Sequence, residues 1–60
     1  METDLAELAE VCAKRAHLTL DREVARALWQ MASDYRSWAV LGGGRLADIG
    51  LPPQWLGEGG

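Results

Sequence analysis

The sequence predicts an all-α protein: a two-helix hairpin, with helices at about residues 4–18 and 20–41, followed by an extended apolar C-terminal tail. Residues 4–41 contain neither Gly nor Pro and are rich in Ala, Leu, Glu and Arg, which favour helix. Residues 42–60, in contrast, hold all seven glycines and both prolines. We therefore divide the chain into a helical hairpin, residues 1–41, and a glycine joint with a docking tail, residues 42–60.

The first helix begins with a recognisable cap. Asp4 is followed three residues later by Glu7, the spacing of a capping box. Glu10 and Lys14 stand four residues apart, which predicts a surface ion pair on this helix. One narrow stripe collects the apolar residues Leu5, Leu8, Ala9, Cys12 and Ala16.

The second helix carries the strongest pattern in the chain. We expect Thr19 to cap it, and a continuous helix through residues 18–21 is the alternative. Gly42, Gly43 and Gly44 are expected to end it, since glycine is favoured just past a helix end. What we call the large-residue stripe recurs at heptad-like spacing and is predicted to form the core: Leu20, Val24, Leu28, Met31, Tyr35 and Trp38.

A second stripe on this helix, the arginine–tryptophan stripe, lies opposite the first: Arg22, Arg26, Trp29, Ser33, Arg36 and Val40. Exposed Trp and Arg side chains are typical of interface hot spots. We therefore predict Arg22, Arg26, Trp29 and Arg36 as partner-binding residues. The alternative is a solvated basic face on which Trp29 lies under the arginine stems.

The tail is too apolar for a free linker, since disordered segments are poor in such residues. Leu51 precedes Pro52 and is expected to be extended, so that the stretch LPPQWL delivers its last two apolar residues to a groove. Whether this groove lies on the protein's own helices or on a neighbour stays open. The predicted contact residues of the tail are Leu46, Ile49, Leu51, Trp55 and Leu56.

Several kinds of chemistry are disfavoured. Gly42, Gly44 and Ala47 match G-x-G-x-x-A, but a dinucleotide site needs a preceding strand, and here a helix precedes. Cys12 is the only cysteine, which excludes an internal disulfide, and His17 is five residues away, on another side of the helix. We predict no catalytic residue, no cofactor and no metal site.

Charge and hydropathy bound the partners. The chain has nine acidic and six basic residues, which disfavours nucleic acid as a partner. Its charged start predicts no signal peptide, and no apolar run is long enough to span a bilayer. A free cysteine fits a reducing compartment, so we expect a cytoplasmic protein.

The expected function is therefore association with protein. A 60-residue chain rarely stabilises itself well without a disulfide, a metal or a partner chain. We predict a small non-catalytic accessory or assembly protein that docks on a larger complex or self-assembles into a helix bundle. The alternative is a small acidic regulator that occupies a partner's binding groove through Glu2, Asp4, Glu7 and Glu10.

Residues 24–53 resemble a group of short bacterial proteins of unknown function. In these proteins a helix like LWQMASDYRSWAVL is followed by a Gly-Gly-basic-Leu-x-Asp-Ile-Gly tail, which appears here as GGGRLADIGLPP. The pattern has proline before the aspartate, whereas this chain has Ala47. The resemblance implies a helix with a specified tail, and it implies no activity or catalytic residue.

Overall fold

A computed structural model of the protein describes residues 4–57. Helix α1 spans Leu5–Leu18, helix α2 spans Arg22–Leu41, and a short 3-10 turn, Gln54–Gly57, lies near the end of the tail. The two helices pack against each other, and the described residues contain no strand. The predicted all-α hairpin is confirmed, with the second helix beginning two residues later than expected.

Aspartates cap both helices. The Asp4 carboxylate accepts the backbone N–H of Ala6 at 3.0 Å, so Asp4 caps α1 as predicted, although Glu7 does not complete the capping box. The cap of α2 is Asp21, which accepts the N–H of Glu23 at 2.9 Å, so the expectation that Thr19 caps this helix is wrong. Thr19 instead ends α1, and its hydroxyl accepts the N–H of Asp21 at 3.3 Å. The helix is therefore broken between the two segments, because each end has its own cap.

The triple glycine ends α2 in a Schellman motif. The N–H of Gly44 donates to the carbonyl of Ala39 at 2.8 Å, and the N–H of Gly43 donates to the carbonyl of Val40 at 3.0 Å. Gly43 has a φ of 82°, the left-handed conformation that this motif requires. A Cβ on Gly44 would lie 3.0 Å from the carbonyl oxygen of Ala39. The prediction of a helix stop is confirmed.

The core is a seam of small residues. The spacing of seven between Ala25, Ala32 and Ala39 puts them on one side of α2, where they meet the small residues of α1. Because alanines project little, the helix backbones can approach closely. This alanine seam consists of Ala6, Ala9, Cys12, Ala13 and Ala16 from α1, Ala25, Ala32 and Ala39 from α2, and Ala47 from the tail.

The large-residue stripe does not form the core, and this prediction is wrong. Val24, Met31 and Trp38 are 45%, 42% and 53% exposed, and Leu28 is half-buried. At about 100° per residue the stripe lies roughly a quarter turn around α2 from the alanine seam. Only Tyr35, also half-buried, packs against both buried clusters from that side.

Candidate interaction surfaces

The C-terminal tail covers one side of the hairpin. Ala47 is buried, and Ile49 packs against both clusters of the alanine seam. Trp29 of the arginine–tryptophan stripe packs against the cluster that contains Cys12. The two predicted contact surfaces therefore meet each other within one chain, and the groove that receives the tail lies on the protein's own helices.

A single carboxylate of α1 holds the start of the tail. Glu10 accepts two hydrogen bonds from the Arg45 guanidinium, at 2.7 and 3.2 Å, and one from the backbone N–H of Asp48 at 3.1 Å. Asp4 lies 3.4 Å from the same guanidinium. Glu10 was expected to pair with Lys14 on its own helix. Its ion pair is with Arg45 instead, because the planar guanidinium offers two parallel donors.

These contacts shift the ionisation of both partners. The hydrogen bond from Arg45, followed by that from the backbone N–H of Asp48, lowers the pKa of Glu10 from 4.5 to about 2. The same Glu10 bond raises the pKa of Arg45. The two side chains are 35 positions apart in the chain, and no local pattern in the sequence signals their contact.

Three contacts of aromatic side chains lie beside or on the tail. His17 Nε2 lies 2.9 Å from the carbonyl oxygen of Leu51. Since a carbonyl only accepts, this nitrogen carries the proton. The imidazole also meets the Trp29 ring edge to face, with centroids 6.0 Å apart. Farther along, the Arg22 guanidinium lies 5.4 Å from the centroid of the Trp55 ring, within cation–π range.

Other predicted contact residues remain accessible. Arg26 and Arg36 are exposed, and Arg36 lines an open groove beside the tail. Leu46 and Leu51 are 61% and 81% exposed, whereas Leu56 is half-buried. Their role in binding a partner stays a prediction.

The opposite side of the hairpin is apolar and carries no part of the described tail. We call it the uncovered face, and it combines the stripe residues within α2, from Val24 to Trp38, with two α1 residues that helical geometry places on the same side, Leu5 and Leu8. Leu20 precedes α2 and is not part of this face. Leu5 and Trp38 line one hollow at the end of this face. The rings of Tyr35 and Trp38 pack edge to face, with centroids 5.7 Å apart. Sequence reasoning found the stripe but assigned it to the core.

Within residues 4–57, no three His, Cys, Asp or Glu side chains are grouped so that they could hold a metal ion. Neither described helix is long and apolar enough to cross a membrane. No protein-family model, curated protein or solved structure matches the chain. The surfaces of the molecule are therefore the features that bear on function.

Proposed function

We propose that this chain is a small non-catalytic accessory or assembly protein, which docks on a larger complex or self-assembles, and that the uncovered face makes the main contact. The supporting observation is the exposure of Val24, Met31 and Trp38 on one continuous side of α2. Apolar area in water is unfavourable by about 25 cal/mol per Å². Association removes that area from water, so the face favours binding to another apolar surface.

The size of the face adds to this support. Four large apolar side chains of the face, Leu5, Val24, Met31 and Trp38, are 36%, 45%, 42% and 53% exposed and form one patch. Such patches mark interaction sites more often than singly exposed leucines do. The alanine seam buries little area by itself, so a partner would also stabilise the fold. We place this activity in the cytoplasm, because Cys12 is a free thiol.

The test is site-specific photo-crosslinking from the full chain in cells that produce it. We expect a photoreactive residue at Met31 to give discrete protein adducts, because this position lies in the middle of the uncovered face. Arg26 is the matched control, since it is exposed on the same helix but belongs to the arginine–tryptophan stripe. Adducts from Arg26 alone would move the contact to that stripe, and adducts from neither position would contradict a docking function.

The acidic-regulator alternative has less support. Two of its four acids, Asp4 and Glu10, are engaged by Arg45 within the chain. Glu2 lies outside the described residues, and Glu7 is exposed. An acidic mimic would need these carboxylates free to face a basic groove. Reversing the charge of Glu7 should leave adduct formation from Met31 unchanged if the apolar face makes the contact.

A further inference from the structure

We propose that the occupant of the uncovered face is a second copy of this chain, so that two hairpins form a four-helix bundle. This inference rests on the proposed function, because it names the partner of the same face. Three observations favour a copy over a different protein: the extent of the face, its heptad spacing and the charges at its rims.

The extent of the face suits a small symmetric dimer. A standard interface takes about 800 Å² from each partner, and the exposed parts of Leu5, Val24, Met31 and Trp38 supply an apolar centre for it. Val24 near the start of α2 is 45% exposed and Trp38 near its end is 53% exposed, so the face runs along most of α2. A two-fold interface uses the same patch on both subunits and would cover it on both at once.

The residue spacing is that of a packing surface between helices. Val24, Met31 and Trp38 are seven residues apart, and Leu28 and Tyr35 stand between them at the positions of a second heptad series. In helix bundles, residues with this spacing insert between side chains of the facing helix. All five side chains are uncharged. No like charges therefore meet at the centre when α2 of one copy packs on either helix of the other copy.

The rims carry opposite charges. Helical geometry places Arg15 beside the uncovered face on α1 and Asp34 beside it on α2. A two-fold axis parallel to the helices lays α1 of one copy on α2 of the other. The basic rim of each chain then faces the acidic rim of its partner, which is favourable electrostatic complementarity.

The test measures mass by sedimentation and light scattering over a concentration series, using the full chain. We expect a discrete dimer of the 6.6 kDa chain. Met31→Glu should weaken dimerisation by at least about tenfold, because it buries a charge without a partner. Leu51→Glu is the control, since Leu51 is exposed on the tail, away from the face, and should leave the dimer unchanged.

Each outcome has a definite meaning. A monomer at every concentration would overturn the inference that a second copy occupies the face. In that case, photo-crosslinking at Met31 to a different protein would still support the proposed function. Loss of the dimer in Leu51→Glu but not in Met31→Glu would place the contact on the tail and overturn the inference. If Met31→Glu loses its helical circular dichroism, intermolecular NOEs in a mixed-labelled wild-type sample decide. These NOEs should involve the Met31 methyl and the Trp38 indole. NOEs confined to tail residues would contradict a dimer formed through the uncovered face.

The rim charges provide a finer test of the arrangement. Arg15→Glu should weaken dimerisation about two- to fivefold, the range expected for an exposed ion pair. Combining it with Asp34→Arg should restore the wild-type affinity, because the pair is re-formed with reversed signs. Failure of the double variant to recover would overturn the two-fold arrangement in which α1 lies on α2 of the partner.

Discussion

The two sides of the hairpin differ in the kind of contact that they make. The tail-covered side has directional polar contacts: the Glu10 carboxylate with Arg45 and the Asp48 N–H, and the His17 imidazole with a tail carbonyl. On the uncovered face, large apolar side chains such as Met31 are exposed. Polar contacts are specific in geometry, whereas apolar area has no direction. One side is thus organised to select a particular segment of its own chain, and the other suits a broad apolar partner.

Both sides depend on close packing of the two helices along the alanine seam. The largest predicted effect on stability is therefore expected for a substitution in that seam. Ala32→Leu should destabilise the protein by about 1–3 kcal/mol, because extra methylene groups in a tightly packed seam force the helices apart. Ala32 has no exposed area. The free energy of unfolding, measured by urea denaturation at fixed chain concentration, checks this.

The matched control for this substitution is Ala27→Leu, on the same helix at an exposed position. Surface substitutions of this kind usually change stability by no more than about 0.5 kcal/mol. Equal effects of the two leucines would contradict the alanine seam as the helix interface.

The next largest effect is a pH dependence of tail docking, which distinguishes the tail-covered side from the uncovered face. The pKa of Glu10 is lowered from 4.5 to about 2, so its contribution to tail docking is present above pH 4.5 and is lost as the pH falls toward about 2. We expect hydrogen exchange of the Asp48 amide, corrected for its intrinsic pH dependence, to lose protection in this window.

Glu10→Gln should remove most of that pH dependence, because the amide cannot titrate and pairs only weakly with Arg45. Glu7→Gln is the matched control, since Glu7 is an exposed carboxylate on the same helix. A pH dependence that persists in Glu10→Gln and disappears in Glu7→Gln would show that another group holds the tail.

The smallest effect concerns the end of the tail. Arg22→Gln removes the cation above the Trp55 ring and should cost at most about 0.5–1 kcal/mol, the usual range for an exposed cation–π contact. The indole N–H signal of Trp55 should shift in the NMR spectrum of this variant. Arg26→Gln, the control, should leave the signal in place, and a shift in both variants would argue against a specific contact.

The hairpin itself was predictable because its signals are local. A helix-capping residue such as Asp4 is recognised from its immediate neighbours, and a run of glycines like the one after Leu41 ends a helix wherever it occurs. Thr19 was mistaken for the second cap, because Asp21 also has a side chain that can cap and lies only two residues farther on. Choosing between adjacent cap candidates depends on where the chain turns.

The contact partners were less predictable. Both stripes of α2 have helical spacing, so periodicity shows that each forms one side but does not show which side is buried. Apolar area favoured the large-residue stripe as the core. That expectation failed because α1 offers mainly alanines such as Ala9 and Ala13, and the closest approach of two helices is reached when small residues face each other.

The amino-acid sequence by itself determined two helices, their approximate ends, the glycine stop and the apolar character of the tail, since each of these follows from residues within one or two turns. Only the tertiary structure decided that alanines form the seam, that Glu10 holds Arg45 and that Met31 and Trp38 remain exposed. These features depend on groups far apart in the chain, and their relative positions are set by how the helices and the tail pack together.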